Sequence, residues 1–288
     1  MSDFIEFTLY NGAVKGKFYP HTHAYYANGK RKTGVTSICG IKDKSMALVP
    51  WALEEAAKHL FALKESGIAI DRAAIAQAVF ASDEAKTKAA DLGTAIHDWC
   101  ERYIRNKLGE AAFETAPEMP DDPNVVTGVL SFLEWESSHN VVFQWAEKVV
   151  YSRKHDYIGK ADFAAIVDGK MCLCDLKSGN GLYNGVLMQT AAYAKADEEE
   201  SGAKYEGRWA IRLAKETEAE YIERMTIKNT IKELLGKSAR EIAPYQVFEA
   251  TFLDDDADNM QRDFDGFLAA WTLLKWDRAT DFYQNKKA

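Results

Sequence analysis

Residues Tyr157 to Gly179 read YIGKADFAAIVDGKMCLCDLKSG. Two apolar runs meet at Asp168-Gly169, a dipeptide favoured in two-residue type I′ hairpin turns. That turn fixes the register. Val167 faces Lys170, Ile166 faces Met171, Ala165 faces Cys172, Ala164 faces Leu173 and Phe163 faces Cys174. Asp162 then falls opposite Asp175, and period two puts Lys177 on the face of Asp175. Opposed residues hold their Cβ atoms ~4.5–5.5 Å apart. Two carboxylates that close, among apolar neighbours, need positive charge between them. Lys177 supplies part of it. A divalent cation supplies more, and hard cations take oxygen ligands. The same residues also suit an exposed hairpin edge with an incidental acid–acid–lysine cluster.

The rest of the chain frames that hairpin. It has 288 residues, 47% hydrophobic and 28% charged, a globular composition. The net charge of −8 argues against loose coating of nucleic acid, yet leaves room for a local basic groove. No long apolar run suggests a membrane span, and the acidic start, MSDFIEFTLYNG, lacks the form of a signal peptide, so a cytoplasmic location is expected. The four cysteines, Cys39, Cys100, Cys172 and Cys174, have neither a disulfide nor a zinc spacing. Cys172 and Cys174 read as core residues pointing away from Asp175.

FIEFTLY and AVKGKFY read as strands around Asn11-Gly12, and a second hairpin turns at Asn28-Gly29. Ser45 is expected to cap a helix that Gly67 closes, and DRAAIAQAVFA to form a short one. Ser82 is expected to open a long helix closed by Gly109. Prolines 117, 120 and 123 mark a loop. A helix follows, then strands over VVFQWAEKVVYS, YIGKADFAAIV and KMCLCDLKS, then a helix over LYNGVLMQTAAYAKADEEE. YEGRWAIRLA and AEYIERMTI suggest another hairpin. The tail from Asp254 reads as helix, with Phe264, Phe267, Leu268, Trp271 and Leu274 at helical spacing. This order predicts an α/β or α+β protein.

The set Gly159-Lys160-Ala161-Asp162 and Asp175-Leu176-Lys177-Ser178-Gly179 resembles the core of the PD-(D/E)XK nuclease superfamily in its RecB-like form. Three more matches keep the family's order: GTAIH (Gly93–His97) upstream, Glu147 on the preceding strand, and Gln189-x-x-x-Tyr193 downstream. The stretches HDYIGKADFAAIVDGKMCLCDLKSG, MQTAAYAKA and GVTSICG with VPWALEEAAK are especially similar to the mitochondrial genome maintenance exonuclease and related phage exonucleases. These matches run from about Val35 to Ala196. Ala161 stands in place of the family's proline and Lys160 in place of an apolar residue. No cysteine follows Cys174, so no iron–sulfur cluster is expected.

The resemblance implies an α/β, restriction-endonuclease-like fold: a central mixed sheet flanked by helices, elaborated by an N-terminal β-hairpin and helical region. Residues 1–81 would form that elaboration and 82–288 the nuclease core with its C-terminal helix, together one unit. It implies one or two Mg²⁺ or Mn²⁺ ions, held by His97, Asp162, Asp175 and the carbonyl of Leu176. Lys177 would orient the attacking water, and Gln189 and Tyr193 would hold a phosphate or that water. Glu147 would assist the metal or orient Lys177, and Glu101, four residues after His97, would support the histidine. Taken without the family, His97 beside Trp99 reads as a core histidine, and Tyr193 as a core tyrosine.

Lys30, Arg31, Lys32, Thr36 and Ser37, beside Tyr25 and Tyr26, suit contact with a single DNA strand, as does Lys160. The same residues also suit a solvated hairpin tip. The expected activity is a metal-dependent DNA exonuclease acting on free or single-stranded ends in phage or bacterial replication, recombination or repair, with a possible protein partner from those processes. The alternatives are a structure-specific or CRISPR-associated-type endonuclease of the same fold, and a non-catalytic DNA-binding protein.

Overall fold

Asn-Gly and Asp-Gly pairs set the reversals of the sheet. The computed structural model describes residues 4–256 and 258–279. Four short strands come first: β1 (Ile5–Leu9), β2 (Val14–Tyr19), β3 (Ala24–Ala27) and β4 (Lys30–Gly34), each antiparallel to the one before. Asn28 and Gly29 take φ of 49° and 75° in the two-residue turn between β3 and β4, the positive angles that type I′ requires. Three helices follow, α1 (Val35–Cys39), α2 (Ser45–Glu65) and α3 (Arg72–Lys107), then α4 (Pro123–Ser137). The strands β5 (Val141–Ser152), β6 (Tyr157–Val167) and β7 (Lys170–Lys177) come next, followed by α5 (Gly185–Ser201), β8 (Gly207–Leu213), α6 (Glu218–Leu234), β9 (Phe248–Phe252) and α7 (Asn259–Ala279).

The result is an α/β protein with one nine-stranded mixed sheet and helices on its faces. The path runs β1-β2-β3-β4-β6-β7-β8-β9, with β5 also paired to β6. Asp168 and Gly169 have φ of 50° and 86°, and all five expected β6–β7 pairs, Phe163–Cys174 to Val167–Lys170, are present. β6 and β7 are buried on both faces, which explains their near-continuous apolar runs. On one face Ala164 and Leu173 pack with Ile38 of α1, Ala191 and Ala192 of α5, and Phe267 of α7. On the other, Phe163, Cys172, Cys174 and Leu176 pack with Ile96 and Cys100 of α3 and Phe132 and Trp135 of α4.

The helices depart from the sequence reading in three places. Residues 72–107 form one 36-residue helix, held at its start by Asp71, whose carboxylate accepts from Ala74 N at 2.9 Å. Ser82 lies inside α3, where serine costs little helix propensity and the nearest glycine, Gly93, is three turns further on. The helix therefore passes straight through the expected division at residue 81. Ser45 is the first residue of α2, and Asp43 accepts from its amide at 2.8 Å. AEYIERMTI is helical, because Thr217 and Glu220 form a reciprocal capping box that outweighs its strand-like composition. No described helix is long and apolar enough to cross a membrane.

A buried arginine locks the far side of the sheet. Arg208 of β8 has no exposed surface. Its Nε and Nη2 reach Asp254 at 2.8 and 2.6 Å, and Nη2 reaches Asp263 of α7 at 2.8 Å. Its Nη1 donates to Leu187 O and Thr190 Oγ1 on α5 at 2.9 and 3.2 Å. All five guanidinium donors are thus used, and β8, α5 and α7 are tied at one point. Arg208→Met leaves two carboxylates buried without their cation. We expect a loss of about 3–5 kcal/mol in unfolding free energy, read as a lower urea midpoint at an unchanged m-value. A midpoint within error of wild type would contradict this account of the clamp.

Candidate metal and phosphate site

The sheet forks at β6. One edge of β6 pairs with β5 along its length. The other edge pairs with β4 at Tyr157 and Ile158, in parallel, and with β7 from Phe163 onward. Residues 159–162 lie between these partners. Here the structure corrects the expected facing of Asp162 and Asp175, because the β6–β7 ladder ends at Phe163–Cys174. Leu176 loses a strand partner at this point, and the Asp162 carboxylate replaces it: Oδ2 accepts from Leu176 N at 2.7 Å. The amide of Leu176 is thus the group that meets Asp162.

Across β5, the pairs Ala146–Phe163 and Lys148–Ala161 place Glu147 opposite Asp162. Glu147 has φ of 51° within a strand. A non-glycine residue held there costs roughly 1–3 kcal/mol, and such strain gathers at functional sites. Ligand atoms of His97, Glu147 and Asp162 all lie within 4.8 Å of one another. His97 Nδ1 is 3.9 Å from Asp162 Oδ2. Gly93 makes this possible, since a Cβ there would sit 2.5 Å from Ser178 Oγ. Its absence lets α3 approach the segment after Lys177, and His97 follows one turn later.

Asp175 and Lys177 share a face as expected: Lys177 Nζ is 2.5 Å from Asp175 Oδ2. Asp175 is 1% exposed, and its Oδ1 has no hydrogen-bond partner among the described residues. It stands beside the group of three rather than in it. Gln189 Nε2 donates to Tyr193 Oη at 3.2 Å. Tyr193 is buried, and Gly159 leaves space for its ring, since a Cβ there would lie 2.5 Å from Cε1.

Other expected site residues have different partners. Glu101 accepts from Arg105 Nε at 2.8 Å rather than from His97. Lys160 pairs in register with Val149 and forms an ion pair with Glu147. Lys32 is bound to Asp156 at 2.6 Å. Tyr25 is buried and stacks on Phe18 with ring centroids 4.6 Å apart, so it is closed to a base. Lys30 and Arg31 are exposed on β4. Thr36 and Ser37 are exposed on α1, and Thr36 lines a cleft of about 1970 Å³. That cleft runs among α2, α3, α6 and the segment 178–186, and Lys177 and Gln189 stand in its wall.

Burial sets the protonation pattern. It raises Glu147 to about 8, with the charge of Asp162 adding and Lys160 opposing. It raises Asp175 to about 6 against the pull of Lys177. Asp162 is raised too, mainly by burial. His97 falls to about 4, through burial and then the charge of Lys177. Burial draws the Lys177 ammonium down, but Asp175 and Asp162 outweigh it and its pKa is raised. Burial lifts the Tyr193 phenol well above its usual value.

An acid with a higher pKa folded than unfolded makes the fold less stable as pH climbs between the two values. For Glu147 that window runs from 4.5 to about 8, and for Asp175 from 3.8 to about 6. His97 acts oppositely between about 4 and 6.5, where rising pH favours the fold. Above 6.5 Glu147 outlasts the other two. With chelator present, unfolding free energy should fall by roughly 1–2 kcal/mol between pH 6.5 and 8. Glu147→Gln should remove that fall. Urea titrations at the two pH values check both, and equal slopes in variant and wild type would count against the assignment.

Comparison with known proteins finds no family model and no curated protein that matches this chain.

Proposed function

We propose that the protein is a metal-dependent deoxyribonuclease of the PD-(D/E)XK superfamily, in its RecB-like form, hydrolysing phosphodiester bonds at free or single-stranded DNA ends. The observation that carries this proposal is the meeting of five groups at the fork of the sheet. His97, Glu147 and Asp162 bring one nitrogen and two carboxylates together, and Asp175 and Lys177 follow on the next strand.

The donor set fits a divalent cation. Three close ligand atoms stand beside a buried carboxylate oxygen, Asp175 Oδ1, that lacks a partner. His97, Glu147 and Asp162 would hold the ion, with Asp175 adjacent. Oxygen donors suit Mg²⁺, and the imidazole moves the balance toward Mn²⁺. When bound, such an ion acidifies water and offsets charge on a phosphoryl group.

The chain's own groups do the remaining work. Lys177, with its pKa raised between two acids, stays an ammonium at neutral pH and cannot serve as the proton acceptor. It offsets negative charge that builds on the phosphate and aligns the water. Asp175 holds that ammonium in place. Gln189 lines the cleft and is braced by Tyr193, so the amide, and not the buried phenol, is positioned to meet a phosphate. The helices around the cleft favour entry of a strand by its end, in keeping with exonuclease action in replication, recombination or repair.

End-labelled linear and circular single-stranded DNA, incubated with Mg²⁺ or Mn²⁺, separate the possibilities. We expect linear DNA to be degraded from its ends and circles to persist. Asp162→Ala, Asp175→Ala and Lys177→Ala should each lower the rate at least about 1000-fold. Circles cut as fast as linear DNA would show an endonuclease. Full activity in the three variants, or none in wild type with either ion, would overturn the proposal.

A further inference from the structure

Half-buried cations near this site have carboxylate partners. Lys148 reaches Asp197 at 2.5 Å, Lys160 pairs with Glu147, and Arg224 Nη2 reaches Glu216 at 2.6 Å. Lys215 differs. It stands in the wall of the cleft, just beyond the end of β8, and its ammonium donates to the carbonyl of Ala89 on α3 at 3.3 Å. Among the described residues no carboxylate forms an ion pair with it, and burial lowers its pKa against the pull of Glu216. A cation removed from water without a counterion is costly. An anion that enters the cleft would relieve it.

Position gives that anion an identity. In the parallel β7–β8 pair, Lys177 lies beside Arg212. The chain leaves β8 at the end of the sheet where Lys177 leaves β7, so Lys215 is on the approach to Lys177. The exposed lysines Lys86 and Lys88 line the same cleft on α3. Several acids along it are already committed: Glu55 to Lys58, Glu216 to Arg224, and Glu220 to the Thr217 cap. Among the described residues Glu65, Glu84 and Glu223 also line it without a salt bridge, but so do Lys42, Lys44, Lys86, Lys88 and Lys215, so the charge left uncommitted in the groove is positive on balance. Tyr183, 65% exposed, stands in the cleft a few residues after Lys177. An exposed aromatic ring and cations without a salt bridge, in one groove, are the pattern that binds unpaired nucleotides.

We propose that this cleft is the path of one unpaired DNA strand, with Lys215 holding a backbone phosphate and Tyr183 stacking a base on the approach to Lys177. The path differs from the β3–β4 tip that the sequence suggested, which lies outside the cleft lining. It deepens the nuclease proposal and rests on it only for what happens at Lys177, because the binding itself is measurable without metal.

The test is fluorescence anisotropy of a labelled oligothymidylate of about fifteen nucleotides, in excess EDTA, across a range of salt. Lys215→Gln should weaken binding and reduce the slope of log affinity against log salt by about 0.7, the value of one phosphate contact on a single strand. Lys215→Arg should retain the wild-type slope, and so should Lys237→Gln, which removes a charge outside the cleft. Tyr183→Ala should weaken binding roughly 5- to 100-fold at one salt concentration, with no change in slope. An unchanged slope in Lys215→Gln, in protein that melts like wild type, overturns the proposal. So does equal binding of a blunt duplex. Cleavage is not read in this assay. If the chain proves to have no nuclease activity, the binding result stands, and if the slope is unchanged, the roles given to Asp162, Asp175 and Lys177 are untouched.

Discussion

The bond from Leu176 N to Asp162 Oδ2 joins two strands that no longer pair through their backbones. β4 and β7 both compete for one edge of β6, and neither covers residues 159–162. A buried amide left open there would cost about 1–3 kcal/mol. A carboxylate accepts it instead, through a charge-assisted bond. The side chain that closes the sheet is thereby fixed in space beside His97 and Glu147. Fold and site share one atom, Asp162 Oδ2, so the acid cannot move without opening the seam.

Around that point the protein tolerates considerable electrostatic stress. Asp162, Glu147 and Asp175 crowd together in a largely buried region, and each has its pKa raised by burial. Lys160 and Lys177 relieve part of the repulsion, each bound to one acid. Glu147 adds backbone strain to the charge. The stability that offsets these costs comes from elsewhere: the two apolar layers on the faces of β6 and β7, and the fully bonded Arg208. A buried charge cluster is weak evidence for stability in itself. Its concentration at one end of an otherwise apolar sheet is what makes the place a candidate site.

Much of this was legible in the sequence for local reasons. β5 and β6 coincide with VVFQWAEKVVYS and YIGKADFAAIV, and the Asp168-Gly169 turn forced the register of five pairs. Asp175 and Lys177 followed from alternation alone. What the residues did not disclose was non-local. The fork depends on β4, more than a hundred residues upstream, competing for the edge of β6. No local pattern shows that Asp162 would meet Glu147 rather than Asp175. The left-handed turn of Glu147 has no compositional sign, since glutamate rarely takes it. The capping box Thr217-x-x-Glu220 was readable and would have marked α6 as helix, but the β-branched and aromatic residues beside it pointed to a strand. The cleft is a product of how α2, α3 and α6 assemble, and Lys215 is notable only because its neighbours are paired.

The seam between β4 and β6 consists of two bridges, Thr33–Tyr157 and Gly34–Ile158, the shortest ladder in the sheet. The curl formed by β1 to β4 shares a small core with β5 and β6, in which Leu9, Val14 and Phe18 pack against Tyr151 and Ile158. With so few main-chain bonds, the curl is held chiefly by side chains: that cluster, Tyr10 on Tyr151 and Glu199, and Lys32 on Asp156. α1 follows β4 without a break, yet its Val35 and Ile38 are buried in the central core, and its last residue, Cys39, lies close enough to Lys177 to act on its charge. That helix therefore bridges the two parts: one end continues the outermost curl, and the other is anchored in the core beside the lysine.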